Sequence, residues 1–281
     1  MPSNLHNKIN SYAIERGYEL NESIKVNPAA TGTSTATGNL VLNAAGTGLT
    51  FEPNDGPLGG AGSWKTAWTS SATTNGRIGI PSTQVNPLSN DLDYGFGFWF
   101  RLNSIPTDMR GFLASYGNSS AAGCILQYVP STKKIRLGTA GGLANTDSVN
   151  LINDTNWHYL AVRRETSPSI RYYLYLDGVL QASPSATSVT APTGQQTYGS
   201  SSAQVVPDFY VNYSNFHWAS SSVLNATAIS EIWTAGSTLP RTVKYFDGSN
   251  WLNSIGQKVW NGTAWVDWNA KRFDGSTWVN V

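Results

Sequence analysis

Leu174-Tyr175-Leu176-Asp177-Gly178-Val179-Leu180 decides the fold class. Two apolar runs meet at Asp-Gly, a dipeptide that readily supplies the positive φ angles of a tight hairpin turn. Residues 170–176 and 179–182 are therefore read as antiparallel strands joined by a two-residue turn. Just upstream, residues 157–164 alternate, with Trp157, Tyr159 and Ala161 opposed to His158, Leu160 and Val162. Both sets are largely apolar, which places this strand centrally in a sheet covered on both sides. Residues 94–102 follow the same rule, Phe96, Phe98 and Phe100 pointing one way and Gly95, Gly97 and Trp99 the other.

Working outward, residues 208–218 form another long strand candidate. Asn225 can cap a short helix over residues 226–234, with Ile229, Ile232 and Trp233 on one side and Gly236 just past the end. Leu239-Pro240 then reads as a linker. Towards the N-terminus, residues 27–62 are rich in Gly, Ala, Thr and Asn and hold short strand candidates at 39–42 and 48–51. Leu5, Ile9 and Ile14 stand at near-helical spacing before Gly17. A helix that short is marginal alone, so it docks on another surface or frays.

Beyond the linker, one phrase occurs three times: Phe246-Asp247-Gly248-Ser249-Asn250-Trp251, Trp260-Asn261-Gly262-Thr263-Ala264-Trp265 and Phe273-Asp274-Gly275-Ser276-Thr277-Trp278. Each unit reads as a hairpin with its two aromatics opposite one another. Five of the 11 tryptophans, Trp251, Trp260, Trp265, Trp268 and Trp278, lie here. A repeat this short cannot bury a face by itself. Its rings either pack on one another or stay open to stack on sugar or on a partner protein.

Charged residues make up only 12% of the 281 residues and the formal net charge is +1, with no basic block. Counterion release at a phosphate backbone has little to act through, so nucleic-acid binding is not expected. The single Cys124 cannot form an internal disulfide and, beside Ile125-Leu126 in a strand candidate, reads as a buried inert thiol. No run of about 20 apolar residues exists to span a membrane. The first eight residues lack the apolar core of a signal peptide, which implies assembly in a cytoplasm.

The segments Phe98-Trp99-Phe100, Trp157-His158-Tyr159-Leu160-Ala161-Val162 and Leu174–Leu180, followed by the late strand and helical turn, resemble the laminin-G-like, concanavalin A-like jelly roll. The expected fold is all-β: a jelly-roll sandwich over residues 27–240, an N-terminal attachment segment over 1–26, and a β-hairpin repeat tail over 241–281. The tail itself resembles the aromatic-Asn-Gly-x-x-Trp ends of bacteriophage minor tail proteins, which often join such a tail to a laminin-G-like domain. The pair of features implies a component of a phage tail or baseplate, located on the virion. Its implied partners are other tail proteins and host cell-surface polysaccharide, and its implied state is a homotrimer. A bacterial carbohydrate-binding module and a glycan depolymerase are the competing readings.

Catalysis finds little support in the residues. Hydrolases on this fold carry a Glu-x-Asp-x-x-Glu strand motif, and none of the six glutamates, Glu52 included, stands at that spacing. No Gly-x-Ser-x-Gly elbow and no zinc spacing of His or Cys occurs. The protein is read as a non-enzyme. No cofactor is required, although calcium could be held by loop carboxylates at Asp91, Asp93 and Asp154. His158 is read as a packing and hydrogen-bonding residue and Asp177 as a turn residue. Besides the tail tryptophans, Tyr173 and Tyr175 share one face of their strand and are the candidate glycan contacts on the body.

Overall fold

The alternation at the centre of the chain becomes the spine of a two-sheet sandwich. The computed structural model describes residues 4–12, 16–18, 41–43, 49–53, 55–57, 62–68, 77–80, 93–107, 111–116, 124–139, 145–185, 196–199, 209–237 and the short strands between 244 and 280. The first sheet contains β1 (Arg16–Tyr18), β3 (Leu49–Pro53), β4 (Gly62–Trp68), β6 (Tyr94–Leu102), β11 (His158–Glu165), β12 (Arg171–Leu176), β13 (Val179–Ala182) and β15 (Phe209–Ser220). Its order is β13-β12-β11-β6-β15-β4-β3, with β1 pairing the far end of β15. The second contains β2 (Val41–Asn43), β5 (Arg77–Ile80), β7 (Gly111–Tyr116), β8 (Cys124–Val129), β9 (Lys134–Thr139), β10 (Thr146–Leu151) and β14 (Gln196–Gly199), in the order β10-β9-β8-β7-β14-β5-β2. Every pairing given for these strands is antiparallel. The fold class is the one the sequence implies, an all-β jelly-roll sandwich.

The two faces of the first sheet bury different things. Phe96, Phe98, Phe100 and Leu102 of β6 point inward with Leu160 and Val162 of β11 and Leu174 and Leu176 of β12. They meet Leu113, Leu126, Tyr128, Ile135 and Leu137 from the second sheet, forming the main core. Arg164 is fully buried among them, its guanidinium 5.9 Å from the Tyr94 ring and 5.8 Å from the Tyr172 ring. Cys124 lies in this core, where burial pushes its thiol up to about 12, so it is not a thiolate at neutral pH.

On the outer face Trp99, Tyr159, Ala161 and Tyr175 form a second apolar surface, and two helices cover it. Helix α1 spans Asn4–Ser11 and α2 spans Ala226–Ser237. Leu5 and Ile9 of α1 and Ile229 and Ile232 of α2 are buried there. The near-helical spacing at the N-terminus thus does form a helix, docked on the body through two side chains, each worth roughly 1.5–3 kcal/mol of burial. Lys8 pairs with Glu231, and the Tyr12 hydroxyl donates to the same carboxylate. Ile14 lies outside the described residues.

Asn225 caps α2 as expected, its Oδ1 accepting from the Ala228 amide at 3.0 Å. Gly236 does not end the helix; it lies within the last turn. The reason is a close approach. A Cβ at Gly236 would stand 2.1 Å from Cζ2 of Trp99, so only glycine lets the helix lie on the indole. Trp233, one turn back, stacks on the same ring at 5.1 Å between centroids and 19° between planes.

Residues 240–281 form a separate unit. It holds three hairpins, β16–β17 (Lys244–Phe246 with Trp251–Asn253), β18–β19 (Lys258–Trp260 with Trp265–Asp267) and β20–β21 (Lys271–Phe273 with Trp278–Asn280).

Gly236→Ala is expected to lower stability by about 1–3 kcal/mol, because the rigid indole cannot retreat from the new methyl. Thermal or urea unfolding of the full chain checks this; an unchanged midpoint would contradict the packing.

Candidate functional site

The cap of two helices leaves one end of the outer face with polar side chains. Alternation puts Arg101 of β6, Lys65 of β4 and Asn212 of β15 on that face, because Leu102, Trp64 and Val211 beside them point into the core. Arg101 lies beside Trp99 in sequence by two positions, so one strand leads from the capped end to the uncapped one. Strand β3 adds Glu52, and Asp55 follows just after it.

These side chains form one network. The Arg101 guanidinium donates twice to Asp55, at 2.7 and 2.6 Å, a bidentate fork. Asn212 is completely buried, and its amide nitrogen lies 2.6 Å from Glu52 Oε2, 2.9 Å from Asp55 Oδ2 and 2.9 Å from Ser63 Oγ. Its carbonyl accepts from the Asn103 amide at 2.5 Å. Lys65 Nζ stands 3.7 Å from Glu52. Two rings flank the network, Trp157 with the Arg101 guanidinium 5.6 Å from its centroid and Tyr210 with Lys65 Nζ 5.9 Å from its centroid. The charged members remain about a quarter to a third exposed, so they reach solvent while their support does not.

The two carboxyls shift in opposite directions. Burial, and then the hydrogen bond with Glu52, raise Asp55 above its ordinary range. Burial alone would raise Glu52 too, but the bonds from Asp55 and Asn212 and the charges of Lys65 and Arg101 outweigh it and hold Glu52 low. Both carboxyls are held by the Asn212 amide, and Asp55 also by the Arg101 fork. The arrangement offers hydrogen-bond donors and acceptors to hydroxyl-rich ligands.

Strand β15 carries this polar character along the outer face. Its register against β6 shifts between Ser214 and His217, and Asn215 adopts φ 52°. The extra residue keeps Tyr213 and Phe216 in the core while Ser214 and His217 stay on the outer side. Beneath the helix cap, Tyr159 donates its hydroxyl to His217 Nε2 at 2.7 Å, and His217 Nδ1–H donates to the Asn215 carbonyl at 3.1 Å. Gly97 makes room, since a Cβ there would lie 2.5 Å from the Tyr159 oxygen. Burial depresses His217 to about 4, so it is a neutral packing residue.

His158 has a structural role too. Nδ1 lies 2.8 Å from Asp177 Oδ2 and Nε2 lies 3.1 Å from Asp154 Oδ1. Asp177 also accepts from the Tyr159 amide at 2.9 Å, while it and Gly178 turn the hairpin at φ 52° and 75°. Burial would lower the His158 value, but the two carboxylates outweigh it and raise it. The Trp-His strand and the Asp-Gly turn are thus one clamp, which accounts for both as architectural residues.

The residues proposed from sequence fare unevenly. Tyr175 is only 4% exposed and belongs to the apolar surface under the helices. Tyr173 is partly buried beside it, with the Arg163 guanidinium 5.3 Å from its ring. Asp93 accepts from the amide and hydroxyl of Thr166, and Asp154 from Asn156 and His158. Asp91 and Trp268 lie outside the described residues, as do the side chains of Trp251, Trp260, Trp265 and Trp278. Among the described residues no group of three or more His, Cys, Asp or Glu is placed to hold a metal, and no helix is long and apolar enough to cross a membrane. Sequence reasoning missed Asp55, Lys65, Arg101, Asn212 and Tyr210, because their convergence depends on long-range strand order.

Comparison with known proteins fits this architecture. Residues 73–230, more than half of the chain, match the family described as the concanavalin A-like lectin/glucanases superfamily. No curated protein matches the chain. Solved structures do. One is a structure of botulinum neurotoxin type C, described as dependent on two ganglioside molecules to enter cells (12% identity, TM-score 0.59, 82% of this chain and 52% of that one). Another is the binding domain of botulinum neurotoxin DC with rat synaptotagmin II (12% identity, TM-score 0.57, 84% and 54%). A third is the same toxin's binding domain with SialylT (12% identity, TM-score 0.57, 81% and 52%). At this identity the likeness is one of fold, and the chain spans about half the length of these structures.

The two histidines contribute to the pH dependence of stability in opposite directions. His158, raised in the fold, stabilises fully below its unfolded value of about 6.5, and that contribution is lost as pH rises through the folded value. His217, lowered to about 4, stabilises above about 6.5, and about 3 kcal/mol is lost as pH falls towards 4. Unfolding midpoints measured from pH 4 to 9 are expected to decline on both sides of a maximum near the ordinary histidine value. His158→Gln should flatten the alkaline limb and His217→Gln the acid limb; limbs unchanged in these variants would contradict the assignments.

Proposed function

We propose that this chain, which belongs to the concanavalin A-like lectin/glucanases superfamily, is a non-catalytic glycan-recognition component of a bacteriophage tail or baseplate. The observation that carries the recognition reading is the solvent-reaching network of Glu52, Asp55, Lys65 and Arg101, held from beneath by buried Asn212 and flanked by Trp157 and Tyr210. Fixed donors and acceptors beside aromatic rings are the chemistry that reads sugar hydroxyls and pyranose faces. The solved structures similar in fold include toxin binding domains described with gangliosides and SialylT, which agrees with a surface glycan as partner. No cofactor is needed in this reading.

The virion assignment rests on the pairing of such a domain with the aromatic Asp/Asn-Gly-x-x-Trp repeats. In that setting the chain sits among neighbouring tail proteins, and the working state is a homotrimer. A bacterial carbohydrate-binding module would share the sheet-face chemistry but not the particle.

On a bacterial-surface glycan array the full chain is expected to bind without releasing reducing ends. Lys65→Gln and Trp157→Ala should each weaken binding by about tenfold or more, with unfolding midpoints recorded alongside. Unchanged affinity in both variants would overturn the site, and released reducing ends would favour a depolymerase. Immunogold labelling of particles should decorate the tail; a label absent from virions would overturn the phage reading.

A further inference from the structure

The three C-terminal hairpins have superimposable registers. Lys244, Lys258 and Lys271 stand opposite Asn253, Asp267 and Asn280. Phe246, Trp260 and Phe273 stand opposite Trp251, Trp265 and Trp278. Each hairpin is its own two-stranded sheet. First and third positions of a strand share a face, and the middle position takes the other. One face of every ribbon therefore carries the positions of one lysine, two aromatic residues and one Asn or Asp. The opposite face carries Tyr245 with Leu252, Val259 with Val266, or Arg272 with Val279.

The same set of residue types thus recurs three times at equivalent register positions, at intervals of 14 and 13 residues between the leading aromatics. A repeated site fits a repeated ligand. The charge of this unit narrows the ligand further. Residues 240–281 hold five Lys or Arg against three Asp and no Glu, while the rest of the chain holds 13 Lys or Arg against 14 acids. The positive excess is confined to the hairpin unit, which is the complement of an acidic polymer.

We propose that the three Lys–aromatic–aromatic–Asn/Asp faces are equivalent subsites for a linear anionic polysaccharide. The aromatic positions supply rings for pyranose stacking and the lysines meet the acid groups of the chain. The inference rests on the reading of the protein as a glycan binder, but it uses residues separate from the sheet-face network. Three linked subsites bind a polymer with avidity, so each one lost should weaken the complex by roughly tenfold.

The test uses the full chain with polygalacturonate as probe and its methyl ester as the uncharged counterpart. Polygalacturonate should bind, with affinity falling as salt rises, and the ester should bind more weakly. Removing one aromatic pair (Phe246→Ala with Trp251→Ala) should cost roughly tenfold, and removing a second pair should cost a similar factor again. Should the aromatic variants misfold, the triple variant Lys244→Gln, Lys258→Gln, Lys271→Gln keeps the aromatic pairs and should abolish the preference for the acid over the ester. In the free chain, acrylamide should quench the five tail tryptophans readily. No binding of polygalacturonate, equal binding by all variants, or tail tryptophans as shielded as Trp64 and Trp99 would overturn the proposal. Variants that lose polygalacturonate but keep the glycan-array signal of Lys65 and Trp157 would separate this inference from the sheet-face site.

Discussion

Strand β6 is apolar on both faces, and a strand of that kind must be covered from both sides. Phe96, Phe98 and Phe100 take the second sheet as their cover, while Trp99 takes the helices. The whole arrangement of the body follows from this double demand. Helix α2 can lie close enough only because Gly236 offers no side chain to the Trp99 indole, and α1 packs into the same apolar cluster beside α2. Where the strand reaches Arg101 the apolar character stops, and so does the cap. The polar network begins at that point, on the same face of the same sheet.

Much of the body was legible because its signals are local. An Asp-Gly between apolar runs makes a hairpin wherever it stands, and alternation assigns each residue a face without further information. Asn225 announces a helix start through the hydrogen bond it makes three residues on. The errors and omissions share a different cause. Gly236 looks like a helix stop by propensity, yet its role is contact with a tryptophan 137 positions earlier in the chain. Tyr175 was placed on the correct side of its strand, but alternation does not say whether that side is open, and here the apolar surface beneath the helices takes it. The sheet-face network joins Arg101 to Asp55 across 46 residues and Asn212 to Glu52 across 160, with no local pattern to mark the meeting.

Among the described residues, polar groups enclosed by the fold are distinct from those that reach solvent. His158, Asp154 and Asp177 hold a turn; Tyr159 and His217 fill the space that Gly97 leaves; Cys124 and Arg164 belong to the core. Each of these groups would attract notice in a search for catalysis, and each has its partners within the fold. The network on the outer face differs in one respect. Its charges are tied to one another yet still reach solvent, so a ligand can compete for them without breaking the core.

That difference is most directly measured by following the protein's own resonances during ligand addition. With the glycan retained on a bacterial-surface array titrated into the full chain, the Trp157 indole and Arg101 guanidinium signals should shift progressively, while those of Trp99 and Tyr175 stay fixed. Shifts confined to the helix-capped surface, with Trp157 and Arg101 unmoved, would contradict the account.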